Sequence, residues 1–183
     1  MKIGIILFPS IRASMYMNAL KDYKPYVINA KKAKTINDDF IYEEVKNNPQ
    51  DYWIYTGGGI VEKRLLDEIK LIHMHPGFVP DYKGSTCFYY SIINNNTITV
   101  TAMFMNRQID CGDIILQNTY KEFPKGDFDF YVDPYLRTQT LKDVLKQYKK
   151  EGELKATKQV GLGETYYVIH PVLKHIAILK ARK

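Results

Sequence analysis

The stretch Ile3 to Phe8 (IGIILF) is a continuous apolar run with no polar alternation, the pattern of a strand buried on both faces. A strand of that kind needs a layer of helices above it and another below. The chain supplies candidates in alternation. Pro9-Ser10 ends the run, and Arg12 to Tyr23 reads as a helix with Ala13, Met17 and Leu20 on one side. Tyr26 to Ile28 reads as a strand, Phe40 to Lys46 as a helix and Asp51 to Tyr55 as a strand. Val61 to Ile69 is expected to be helical and Lys70 to Met74 to be a fourth strand. Strands alternating with helices predict an α/β fold with a mostly parallel sheet flanked by helices. Ligands of such sheets bind beyond the carboxyl ends of the strands. Three unusual stretches fall there: Pro9-Ser10, Gly57 to Gly59, and His73 to Gly77.

The second half is less regular. Thr86 to Asn94 predicts a helix, Thr97 to Phe104 a strand, Arg107 to Gly112 a loop and Asp113 to Gln117 a strand. Phe123 to Pro134 reads as a long ordered loop, serving as an interface or a lid. Leu136 to Tyr148 reads as an amphipathic helix, Glu151 to Gly163 as a polar excursion, Tyr166 to Ile169 as a short strand, and His170 to Ala181 as a final helix. With no repeat or linker, residues 1–183 are expected to form one domain. Its core motif region would be 55–117 and its C-terminal extension 118–183.

The formal charge of +6 admits a nucleic-acid partner, but the lysines are scattered and lack interleaved aromatics, so solvated faces are the expectation. Cys87 and Cys111 are too few and too separated for a disulfide framework or a zinc ribbon. With no leader or membrane-length apolar run in view, a cytoplasmic location and no membrane partner are expected.

His73 and His75 are two apart on a strand, so both project from one face while Met74 projects from the other. Such a pair fits three uses. With Asp110 it offers a two-histidine, one-carboxylate metal site. It could cap a turn through backbone hydrogen bonds. It could also move protons, imidazole being the side chain whose ordinary pKa lies nearest neutrality, with Asp110 as orienting carboxylate. The Thr97 to Phe104 strand could lie beside the histidine strand and so bring Asp110 across to His75.

His73-Met74-His75, then Pro80, Lys83 and Gly84, and later Asp110-Cys111-Gly112-Asp113-Ile114 resemble the N10-formyltetrahydrofolate-dependent formyltransferases. That family includes the glycinamide ribonucleotide, methionyl-tRNA and sugar N-formyltransferases. Its signature is Asn-x-His-x-x-x-x-Pro-x-x-[Arg/Lys]-Gly followed by Asp-x-Gly-x-Ile. The resemblance runs from about Tyr55 to Gln117 and implies a Rossmann-like formyltransferase fold, here with a shortened N-terminal half. It makes His75 and Asp110 the catalytic pair. His73 stands where the family has asparagine, the donor to the formyl oxygen as negative charge develops there. An imidazole N–H can also donate, and an imidazolium more strongly. The substitution leaves open a changed donor, a changed reaction such as formyl hydrolysis, or lost activity.

By the same resemblance, Gly57, Gly58, Gly59 and Ile60 would approach the pterin of the formyl donor, with Arg107, Gln108 and Ile109 contributing backbone. Ser10 and Arg12 would occupy a loop that some relatives use for substrate phosphate. Tyr82, Lys83, Gly84, Ser85 and Thr86 would meet the acceptor. The resemblance thus implies an enzyme that moves a formyl group from N10-formyltetrahydrofolate, with no metal, to a small amine such as a nucleotide-linked amino sugar. A homodimer is compatible with it. The C-terminal extension is expected to be too small for a separate RNA-binding domain, so no nucleic-acid partner is expected. Two other classes stay open on residues alone. One is a metal-dependent hydrolase using His73, His75 and Asp110; the other is a catalytically degenerate binding protein.

Overall fold

A computed structural model describes residues 2–182. The elements run β1 (Ile3–Leu7), α1 (Ile11–Leu20), β2 (Tyr26–Asn29), α2 (Asp39–Asn47), β3 (Tyr52–Tyr55), α3 (Lys63–Leu66) and β4 (Leu71–His75). They continue with β5 (Tyr82–Gly84), α4 (Cys87–Asn95), β6 (Ile98–Phe104), β7 (Ile114–Tyr120), α5 (Asp133–Glu151), β8 (Glu164–Tyr166) and α6 (Pro171–Ala181). Six strands form one sheet in the order β2-β1-β3-β4-β6-β7. The pairings from β2 to β4 are parallel, while β6 and β7 join antiparallel. The expected mostly parallel α/β sheet is therefore present.

Alternation along the buried strands divides the core in two. Ile3, Ile5, Ile54, Ile72 and Met74 face a cluster that takes Tyr16 and Leu20 from α1 and Leu141, Val144 and Tyr148 from α5. Ile6, Trp53, Tyr55 and Leu71 face the other side, against Ile41 and Val45 of α2 and Leu65 of α3. The α5 residues Leu141, Val144, Leu145 and Tyr148 recur at helical spacing, so one stripe buries against the sheet. Gly152 closes α5 at φ 80°, where a left-handed residue ends the helix at little steric cost.

Three expectations change in detail. Only Lys63–Leu66 is helical within the expected Val61 to Ile69 helix. The Asn37 amide donates to the Ile60 carbonyl (3.0 Å) and accepts from Glu62 N–H (2.8 Å), which holds the preceding residues extended. The expected loop from Phe123 to Pro134 contains a π-helical turn, Phe128–Val132, that runs straight into α5. The Asp127 carboxylate starts it by accepting from Asp129 and Phe130 N–H, and Pro134 is tolerated in the first turn of α5. The late strand is Glu164–Tyr166, earlier than expected, because it pairs in parallel with β5. The polar excursion before it is tied down as well: Thr157 and Ile114 exchange backbone hydrogen bonds, and Leu154 is buried.

Gly4 sits opposite Trp53 in the β1–β3 register, and a Cβ there would enter the fully buried indole ring. Gly4→Ala is therefore expected to cost about 1–3 kcal/mol by overpacking. A lower denaturant midpoint at unchanged slope would show it.

Candidate active site

Strand β4 delivers both histidines to its C-terminal end, in the middle of the sheet. Strand β6 lies antiparallel beside it, with His75 opposite Thr101 and His73 opposite Met103. Its C-terminal loop therefore starts near the beginning of β4 and must travel back along that strand to bring Asp110 to His75. Gly112 lies so close to the Phe104 carbonyl that no side chain fits between them. The Gln159 amide donates to the carbonyls of Asp110 (2.9 Å) and Gly112 (2.8 Å), fixing the loop from outside. Asp110 itself adopts φ 51°, an uncommon left-handed conformation that the surrounding contacts must sustain.

The result is a tight pair. Asp110 Oδ2 lies 3.2 Å from His75 Nδ1 and accepts the Gly84 N–H at 2.8 Å. His75 Nε2 lies 2.8 Å from the Tyr82 carbonyl. A carbonyl can only accept, so Nε2 carries a proton. Nδ1 faces the Asp110 carboxylate across that 3.2 Å gap and is the ring nitrogen left to take up and give back a proton. His75 is 1% exposed. Burial pulls its pKa down, while Asp110 and the Tyr82 carbonyl oppose that shift.

His73 behaves differently. Burial foremost, then the positive charge of Arg137, hold its pKa well below the ordinary histidine range. It is a neutral imidazole near pH 7, so donation from an imidazolium at this position is removed. Its Nδ1 is enclosed and has no hydrogen-bond partner among the described residues.

Both histidines open on a cavity of about 510 Å³. Gly57 to Gly59 and Ile60 line it from the end of β3, Arg107 to Asp110 from the β6–β7 loop, and Gly84 to Thr86 from the end of β5. Arg12 reaches it from α1, donating to the Thr56 carbonyl at 3.0 Å. Three expected acceptor contacts do not reach it. The Ser10 hydroxyl caps α1 by accepting from Ala13 N–H at 3.2 Å. The Tyr82 hydroxyl bonds the Asn94 and Asn95 amides, so this residue serves the site through its carbonyl alone. The Lys83 ammonium is taken by the Leu162 carbonyl. Cys87 is buried, and burial foremost pushes its thiol up to about 12, so it is a packing residue rather than a nucleophile. Cys111 is half-buried.

Sequence reasoning missed Arg137. It is buried, pairs with Asp133 (Nε to Oδ1, 2.7 Å) and donates to the Met74 carbonyl at 2.8 Å while lining the cavity. Its like charge is the first cause that lowers the Arg12 pKa, with burial second. A signal existed: Asp133 and Arg137 are four apart and continue the apolar stripe of α5, where unpaired charges do not belong. Thr165 to Val168 were missed too, because their approach depends on the short β5–β8 pairing. A larger hollow of about 660 Å³, lined by Asp22, Asp51 and Lys70 among others, lies at the opposite end of the strands from this cluster.

Known proteins share this sequence pattern and this sheet. The profile of the family described as formyl transferase matches residues 16–133. The chain belongs to the formyl transferase family. A methionyl-tRNA formyltransferase of Fusobacterium nucleatum is 29% identical over 165 residues, which is 84% of this chain and 49% of that protein. The chain thus spans about half the length of that relative. Among solved structures, methionyl-tRNA formyltransferase from Clostridium thermocellum superposes with a TM-score of 0.71 at 16% identity, covering 94% of this chain and 74% of that one. The formyltransferase PseJ from Anoxybacillus kamchatkensis, in complex with UDP-4,6-dideoxy-4-formamido-L-AltNAc and tetrahydrofolate, gives 0.64 at 18% identity, covering 91% and 85%. At these identities the superpositions speak for the fold alone.

Gly77 provides a check on the geometry of this candidate site. A Cβ there would press on both the Tyr82 carbonyl and His75 Nε2, wedging into their hydrogen bond. Gly77→Ala is expected to disrupt that bond and change the imidazole N–H signals of His75 in an NMR spectrum, with little change in far-UV circular dichroism.

Proposed function

We propose that the chain transfers a formyl group from N10-formyltetrahydrofolate, acting as second substrate, to the amine of a small acceptor, a nucleotide-linked amino sugar being the first class to test. The observation that carries the reading is the His75–Asp110 pair, 3.2 Å apart and open to the same cavity as His73. Family membership supports the reaction, and the cavity volume lies in the range usual for small-molecule sites. The acceptor class rests on the fit of a small amine to a cavity of this size; the formamido sugar held by PseJ makes such amines the ones to try first.

In this reading the acceptor nitrogen attacks the formyl carbon, and negative charge grows on the formyl oxygen. Neutral His73 is placed to donate one hydrogen bond to it. His75 Nδ1, once it has taken the proton that the acceptor amine loses, supplies the second interaction beside Asp110. As the carbon–N10 bond breaks, the pair passes that proton to N10, so it ends as it began. The Tyr82 carbonyl fixes His75 Nε2–H throughout, and the Gly84 N–H fixes the Asp110 carboxylate. Gly58 and Gly59 face open space where a side chain would project, which leaves their backbone accessible to a flat heterocycle.

The test is calorimetric titration with a stable N10-formyltetrahydrofolate analogue, followed by formylation assays on nucleotide-linked amino sugars and on methionyl-tRNA. Micromolar binding and formylation of the sugar are expected. His75→Ala and Asp110→Asn should each lower kcat by about 10²–10⁴ with little change in analogue affinity. Formylation of methionyl-tRNA alone would overturn the acceptor assignment, and absence of analogue binding would overturn the reaction.

A further inference from the structure

We propose that His73, His75 and Asp110 also form a reversible site for a borderline divalent transition-metal ion, zinc foremost, whose occupancy blocks formyl transfer. One ligand atom from each of the three lies within 4.8 Å of the others. Zinc bound to nitrogen at about 2.0–2.1 Å and to oxygen at about 2.0–2.2 Å has tetrahedral ligand–ligand edges of roughly 3.3 Å. His75 Nδ1 and Asp110 Oδ2, 3.2 Å apart, already form one such edge. His73 must close by up to about 1.5 Å to complete the other two.

The surroundings are those of a ligand set. Metal-bound imidazoles characteristically donate their other ring N–H to a carbonyl or carboxylate, which fixes the tautomer. His75 does so, to the Tyr82 carbonyl, and its Nδ1 is left facing a carboxylate with room for one cation. Asp110 is oriented by the Gly84 N–H. His73 contributes the independent observation: a ring nitrogen enclosed without any partner among the described residues. An imidazole that ligates a cation and shifts toward it has a use for that position that the hydrogen bonds of the folded chain do not provide.

The third ligand exists because His73 stands where the family signature carries asparagine. An asparagine there would leave one imidazole and one carboxylate, too few for a transition-metal site of usual strength. Two charges oppose the cation. Arg137 is neutralised by Asp133, but Arg12 has no carboxylate partner among the described residues. Together with the closure His73 must make, that sets the expected affinity at micromolar, well short of a structural zinc site. Three protein ligands leave at least one position open toward the cavity. The blocking half of the proposal rests on the transfer reading, since the ion sits where the His75–Asp110 pair would hold the transferred proton and occupies the donor ring of His73.

The experiment is a zinc titration of the metal-free full chain by calorimetry, with no folate or amine present. Cobalt substitution, read by visible absorption, reports coordination number. One equivalent bound in the micromolar range and cobalt bands of a four- or five-coordinate ion are expected. His73→Asn should weaken binding by at least about 10–100-fold, the loss that even an outer-sphere partner causes. His175→Asn, an exposed position on α6, should change nothing. No binding below millimolar zinc, equal binding by His73→Asn, or loss on His175→Asn would each overturn the site. Zinc binding without inhibition of transfer would overturn the blocking role. A chain that binds zinc but no folate analogue would sink the transfer reading and leave the metal site standing.

Discussion

Two imidazoles carried on a buried central strand are the constraint around which the rest of this structure is arranged. β4 has sheet neighbours on both sides and helices over both faces, so water is not freely available to satisfy His75. The fold therefore provides the partners itself. The turn after β4, together with β5, brings the Tyr82 carbonyl to one ring nitrogen, and the β6–β7 loop brings Asp110 to the other. The helix below adds Arg137, whose guanidinium takes the Met74 carbonyl between the two histidines.

That arrangement separates the two histidines in role. His75 has Nε2 held by the Tyr82 carbonyl and Nδ1 facing the Asp110 carboxylate. His73 keeps part of its ring open to the cavity and stays neutral, under burial and the charge of Arg137. A strand that places two identical side chains on one face thus gives them different electrostatic surroundings, a division of labour between like groups that recurs in acid–base sites. The cost is an orphaned nitrogen on His73.

Much of the site was legible because it follows strand geometry. The two-residue spacing of His73 and His75 fixes a common face whatever the neighbours are. The glycine run at Gly57 to Gly59 falls at a strand end because Tyr52–Tyr55 is too apolar to be anything but a buried strand. The pairing of β6 with β4 was one of the arrangements open to the sequence, and it is present. Arg137 was not legible in the same way, since a helical charge reads as solvated until its stripe is seen to face the sheet. Tyr82 and Lys83 misled for the opposite reason: on a three-residue strand, nothing local says which side of the chain will face the cavity.

The sequence by itself determined the layered α/β class, the strand ends where chemistry gathers, and the convergence of the histidines, because buried apolar runs and side-chain alternation are local properties. Only the tertiary structure decided which partners those histidines have. The partners of His75 are a carbonyl from β5, a few residues on, and a carboxylate from the β6–β7 loop. The neutrality of His73 is set by desolvation and by an arginine from α5. Both rest on through-space effects that fall off over a few ångströms, and distances of that kind exist only once the sheet has formed and the helices have packed onto it.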